Sequence, residues 1–229
     1  MDGAVGKSSS GSAVARLPGA ERLPIIGLVG GVASGKSFVA GELQRLGAAA
    51  LDADQAGHDV LRLPEVIVAA RRQWGEGILT DDGRIDRKAL AKIVFAPAPE
   101  GPRQRKILEQ LTHPRIGQLM VEQAARFAAD DRVRALVLDA PVMMESGWDE
   151  LCEHIIFIDA PPPVRLRRAM QRGWTQDDFA AREDAQETLE KKRARADFVI
   201  DNAKDPGYTR AQVQRFWHLY FDEPAEARR

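Results

Sequence analysis

Apolar positions along this chain fall into short runs and longer amphipathic stretches, and the order of the two predicts the fold. The mainly apolar runs, Pro24–Val29, Ala48–Leu51, Val133–Leu138, His154–Ile158 and Phe198–Ile200, read as strands buried on both faces. Phe38, Val39, Leu43 and Leu46 follow the first run with helical spacing, and Gly47 stands where a glycine ends a helix. From about residue 55 to 127 the pattern is mainly helical, broken at Pro64, at Asp81-Asp82-Gly83 and at Ala96-Pro97-Ala98-Pro99, and His113-Pro114 interrupts it again. Pro161-Pro162-Pro163 opens an arginine-rich helix, since proline suits a first turn, and a last helix runs from about Thr209 to Tyr220. Strands separated by crossovers long enough for helices imply an α/β fold, a parallel sheet covered by helices on both faces. Ligands of such sheets bind beyond the carboxyl ends of the strands.

The segment after the first strand gives that cleft a chemistry. Gly30-Gly31-Val32-Ala33-Ser34-Gly35-Lys36-Ser37 fits G-x-x-x-x-G-K-[ST], the phosphate-binding loop. Glycines let the backbone curl so that the amides from Gly31 to Phe38 can face an anion, and the helix starting near Lys36 adds its positive N-terminal dipole. Lys36 can then reach the terminal phosphates and the Ser37 hydroxyl a magnesium ion. The repeat of the motif's end at Gly6-Lys7-Ser8 has Met1 in place of the first glycine and no strand before it, so it carries no such meaning.

Composition narrows the setting. With 229 residues the chain supports one domain with an insertion, spanning residues 23–222, behind a disordered Gly/Ser/Ala-rich leader at 1–22 and before a tail at 223–229. A net charge of −1 argues against a nucleic-acid surface made by bulk charge. Cys152 is the only cysteine, which excludes an intramolecular disulfide and a cysteine zinc site and suits a buried apolar role. No apolar run is long enough to span a bilayer and the first residues lack a signal-peptide core, so the expected location is the cytoplasm, without membrane contact.

Other polar residues have two readings each. Asp52 and Asp54 follow the second strand and face one way if the strand continues through them, or diverge if it has ended. A carboxylate here could accept a hydroxyl proton or position the acceptor, or could cap the helix that follows. Asp139 ends the third strand, either as a Walker-B-like carboxylate holding magnesium or as a turn residue before Pro141, with Glu145 and Ser146 in the same loop. Arg165, Arg168 and Arg172 share a helical face that either closes over phosphates as part of a lid hinged at Gly173 or is a solvated, ion-paired surface. Thr175 to Asp178 looks like a capping box for the second lid helix. A lone His113 is more often structural than catalytic, and Trp74 and Phe95 suit core or cleft walls. Asn202-Ala203-Lys204-Asp205 misplaces the lysine of the N-K-x-D guanine motif, against a GTPase.

Together these residues resemble the dephospho-coenzyme A kinase family from about Ile25 to Tyr220. The resemblance rests on the phosphate loop, Asp52-Ala53-Asp54, Gly83-Arg84-Ile85-Asp86-Arg87-Lys88-Ala89-Leu90, His113-Pro114, Asp139-Ala140-Pro141, Glu145-Ser146-Gly147 and the stretch from Gln186 through Lys192 to Asn202. It implies transfer of the ATP γ-phosphate to the ribose 3′-hydroxyl of dephospho-coenzyme A, with Mg2+ at Ser37 and Asp139. Asp54 becomes the general base or acceptor-positioning residue, Lys36 and Arg172 the catalytic cations, and Asn202 a contact near the adenine. Arg87 and His113 become acceptor-side residues, within a helical insertion at about 55–127, and the lid spans about 164–192. Ala33 departs from a loop glycine, Phe38 from a small polar residue and His58 from an arginine; Ala33 is expected to fit only with a negative φ. The rival readings are another small P-loop kinase and a non-enzymatic nucleotide-binding module.

Overall fold

The computed structural model describes residues 23–140, 143–144 and 147–222. The leader and tail expected at 1–22 and 223–229, and Pro141, Glu145 and Ser146, lie outside the described residues, as does the side chain of Asp54.

Five parallel strands form one sheet in the order β2-β3-β1-β4-β5: β1 (Ile25–Gly30), β2 (Ala48–Leu51), β3 (Ala135–Leu138), β4 (His154–Asp159) and β5 (Phe198–Asp201). The continuous apolar runs hide an alternation. Ile26 and Leu28 of β1 pack with Val39 and Leu43 of α1 (Lys36–Arg45) and with Val213, Phe216 and Trp217 of α9 (Pro206–Trp217). Ile25 and Val29 face the other way, into the core shared with the helices inserted between β2 and β3. Burial on both faces is why no polar residue interrupts β1. Gly27 leaves the room that Cys152 and Met143 fill, since a Cβ there would lie 2.7 Å from the Cys152 Sγ.

The insertion comprises α2 (Ala53–Val60), α3 (Pro64–Trp74), α4 (Arg87–Val94) and α5 (Glu100–Ala128). Pro64 opens α3 at its first turn, and Asp86 caps α4 by accepting the Lys88 and Ala89 amides. The expected break at His113-Pro114 is absent: Pro114 sits inside a continuous α5. Proline removes one ladder donor, but α5 packs along α2, α3, α4 and β2, and that burial outweighs the loss.

After β4 come α6 (Pro162–Gln171), α7 (Gln176–Asp184) and α8 (Leu189–Arg195). Gly173, with φ 83°, makes the left-handed turn between α6 and α7, and the Thr175 capping box forms as its sequence suggests. The final helix starts at Pro206 rather than Thr209, because Asp205 accepts the Tyr208 amide and Pro206 takes the first turn; it ends at Trp217 in a π turn over His218–Asp222. Among the described residues no helix is long and apolar enough to cross a membrane.

Candidate phosphate-transfer site

Strand register brings the chemistry to one end of the sheet. Gly27 lies level with Leu138, and Leu138 with Leu51, so Asp139 and Asp52 both emerge just beyond; Gly30 lies level with Ile158, and Ile158 with Ile200.

The loop from Gly30 to Gly35 joins β1 to α1, and Gly35, φ 103°, is the N-cap residue of α1. A Cβ at Gly35 would collide with the Asn202 amide, so glycine is required there by both conformation and space. The amides of Ala33, Gly35, Lys36 and Ser37 donate to no group among the described residues. Such amides at a helix N-terminus form an anion-binding concavity, and no capping side chain fills this one. Lys36 is half-buried at the first position of α1, Ser37 is exposed at the second, and Phe38 is half-buried behind them.

Ala33 contradicts its expectation. Its φ is +57°, in the left-handed region that costs an alanine about 1–2 kcal/mol. Neighbours fix the backbone on both sides of it. Asn202 is buried after β5; its Nδ2 donates to the Ser34 carbonyl at 2.7 Å and its Oδ1 accepts from the Thr209 hydroxyl at 2.8 Å. Arg168 donates to the same Ser34 carbonyl at 3.1 Å and to the Asn202 carbonyl at 2.8 Å. Arg165, buried under the Phe179 ring, donates to the Val32 carbonyl at 3.3 Å and to the Ala160 carbonyl at 3.0 Å.

The arginine face is therefore neither a phosphate clamp along its whole length nor a solvated surface. Arg165 and Arg168 donate to main-chain carbonyls in and beside the phosphate loop, and Arg165 also pairs with Glu183. Arg172, at the C-cap of α6, stays exposed and makes no side-chain hydrogen bond or ion pair with the described residues. Burial, and then the Arg167 and Arg172 charges, pull the Arg168 pKa below the usual guanidinium value, so the loop is backed by concentrated positive charge. Asn202 is likewise committed to holding the loop, so the adenine role rests on what remains of its amide.

β2 stops at Leu51, so the strand does not continue through the two aspartates. Asp52 is the N-cap of α2, accepting the Gln55 amide at 2.8 Å, and Asp54 is the second helical residue. Asp139 is half-buried directly after β3. Among the described residues no group of three His, Cys, Asp or Glu side chains could cage a metal. Ser37 and Asp139 carry oxygens of the kind a hard cation takes when few of its ligands come from protein and the rest from phosphate and water.

Arg87, expected on the acceptor side, is exposed where it opens α4 and lines a groove of about 480 Å³ with Leu61, Val94, Phe95 and Leu108, none of them phosphate-loop residues. His113 is half-buried in α5, its ring 5.7 Å from that of Trp148. His58 is half-buried in α2. Trp74 reaches Gln104 through its ring N–H at 2.7 Å, while Phe95 is exposed beneath the Arg105 guanidinium.

One residue has no role of its own in the sequence pattern. Lys192 of α8 is buried, donates to Gln186 at 2.7 Å, and lines a small cavity under the loop together with Lys36, Gly30 and Met143. A signal for it exists: Leu189, Lys192 and Ala196 share one helical face, so the lysine stands on the packed stripe.

Comparison with known proteins fits this arrangement. A family model described as dephospho-CoA kinase matches residues 24–206. The chain is 39% identical over 197 residues to a dephospho-CoA kinase of Symbiobacterium thermophilum, covering 84% of this chain and 80% of that protein. To one of Geobacter sulfurreducens it is 38% identical over 203 residues, 86% of this chain and 98% of that one. A crystal structure from Thermus thermophilus matches with TM-score 0.76 at 30% identity, covering 88% of this chain and 99% of that one. A dephospho-CoA kinase from Campylobacter jejuni matches with TM-score 0.56 at 26% identity, covering 85% and 96%.

Proposed function

The chain belongs to the dephospho-CoA kinase family, and from that premise we propose that it transfers the γ-phosphate of ATP to the ribose 3′-hydroxyl of dephospho-coenzyme A, the last step of coenzyme A synthesis. The observation that carries the donor half is the set of open amides at Ala33, Gly35, Lys36 and Ser37, held in place by Asn202, Arg168 and Arg165. Amides fixed before the substrate arrives lose nothing to reorganisation as charge develops on the transferred group.

Lys36 and the amides cradle the β- and γ-phosphates in this reading. Arg172 closes on them from α6, its uncommitted guanidinium suited to bidentate phosphate pairing. Mg2+ bound at Ser37 and Asp139 would neutralise phosphate charge. Asp54, beyond β2 on the first turn of α2, takes the acceptor proton or orients the hydroxyl. Arg87 and His113 bind dephospho-coenzyme A on helices α2–α5, while α6–α8 form the lid. The reaction takes place in the cytoplasm.

Incubating the protein with Mg2+, ATP and dephospho-coenzyme A, and locating the new phosphate on the product, tests the proposal. Coenzyme A phosphorylated at the 3′-position is expected. ATP consumed only with a different acceptor, or not at all, would overturn it.

A further inference from the structure

Glu183, on α7, takes no part in the chemistry just proposed, yet it touches the phosphate loop directly. One carboxylate oxygen accepts the Val32 N–H at 2.7 Å and the other pairs with Arg165 at 2.5 Å. The same guanidinium holds the Val32 carbonyl at 3.3 Å. Both polar main-chain groups of Val32 are thus gripped by one ion pair. The next residue is Ala33, with its left-handed φ of 57°, and after it the Ser34 carbonyl is held by Arg168 and Asn202. A strained residue persists where its surroundings over-determine it, and here they do so on both flanks. Arg165 and Arg168 come from α6 and Asn202 follows β5, whereas Glu183 alone of the four comes from α7. Gly31 allows the close approach, since a Cβ there would lie 2.5 Å from Arg165.

We infer that Glu183 is a positioning residue for the nucleotide: through the Val32 amide and Arg165 it holds Ala33 left-handed, and thereby keeps the open loop amides aimed at phosphate. The inference rests on the loop being the ATP phosphate site. It makes the loop's order conditional on α7 lying against it.

Titration of the full chain with Mg2+-ADP, without acceptor, tests this in wild type, Glu183→Ala, Glu183→Gln, Ala33→Gly and the Ala33→Gly/Glu183→Ala double variant. Glu183→Ala should weaken ADP binding about tenfold, and Glu183→Gln, which keeps an oxygen for Val32 but loses the charge opposite Arg165, about threefold. The KM for dephospho-coenzyme A should stay at its wild-type value. In the Ala33→Gly background the loss on Glu183→Ala should shrink to about twofold or less, because glycine holds the left-handed conformation without a clamp. Unchanged affinity in Glu183→Ala overturns the inference, as does tighter binding, which would mean that the carboxylate competes with phosphate. Equal losses in both backgrounds also overturn it, marking the ion pair as general support for the lid. Should Glu183→Ala fail to fold, the same cycle is read with Glu183→Gln. A wild-type protein that does not bind ADP brings down the phosphate-loop reading itself, and that result is separate from any difference among variants.

Discussion

The phosphate loop and the helices proposed to hold the acceptor are made of different materials. On the donor side the binding groups are main-chain amides, and the side chains that fix them, Arg165 and Asn202, are buried, as is the loop's own Ser34. On the acceptor side the candidate groups are side chains on helix surfaces: Arg87 on an exposed first turn, His113 beside Trp148, Phe95 with 67% of its surface open. A backbone site inherits its geometry from the fold, so damage to it should reach stability and binding together. A site of surface side chains can be altered with little cost to folding.

The largest effect expected from this contrast is at Lys36. Lys36→Met should lower turnover by about 10⁴-fold with a melting temperature near wild type, because the group serves the phosphates and packs little. Turnover within about tenfold of wild type would break the donor-side assignment.

Asp54→Asn tests where donor and acceptor meet. It should reduce turnover by about 10²–10⁴-fold while ADP affinity without acceptor stays unchanged. Asp52→Asn is its control: Asp52 caps α2, and asparagine caps about as well, so stability and turnover should both hold. Unchanged saturated turnover in Asp54→Asn with a raised acceptor KM would make Asp54 a positioning residue.

A third pair sets the two sides directly against each other. Asn202→Ala should cost about 1–3 kcal/mol of stability, since Thr209 and the Ser34 carbonyl lose a buried partner, and should weaken ADP as well. Arg87→Ala should raise the dephospho-coenzyme A KM about three- to tenfold with no change in the melt, as befits an exposed charge. If Arg87→Ala destabilised the protein, or Asn202→Ala left it untouched, the contrast would fail.

The smallest effect concerns the core between the sheet and the inserted helices. Cys152 lies against Gly27 of β1, and burial, reinforced by Asp149, pushes its pKa up to about 12. The thiol is therefore protonated at about pH 8, and iodoacetamide should leave native protein unlabelled while modifying it in denaturant. Rapid labelling of the native protein would show that the core under the loop opens.

This contrast also explains what could be read from the chain. The phosphate loop and its strand were legible because their requirements are local: glycines at fixed spacing after an apolar run. The roles of Arg165 and Arg168 were not, because an arginine stripe looks the same whether it faces water or the carbonyls of a loop 134 residues away, as Arg168 does. The conformation of Ala33 is decided by its clamps rather than by its own preference. Pro114 misled for a related reason, since packing along α5 overrode a local breaker. Asp205-Pro206 carries a local signal for the last helix, a cap followed by a first-turn proline, which the start expected at about Thr209 missed. At the carboxylates, the two aspartates of Asp52-Ala53-Asp54 take different places because β2 ends at Leu51.

The strand order has a consequence in time. Among the described residues β1 is the first strand, yet its partners are β3 and β4, whose residues begin about a hundred positions later. β2 must also wait for β3. At a synthesis rate of roughly 5–20 residues per second, Ile25–Gly30 therefore spends on the order of 5–20 seconds as an apolar strand without a partner. Helices α2 to α5 can form from local contacts during that interval, but the sheet cannot. The inserted helices can thus precede the sheet, and the phosphate loop can be fixed only when β3 and β4 emerge to close around β1.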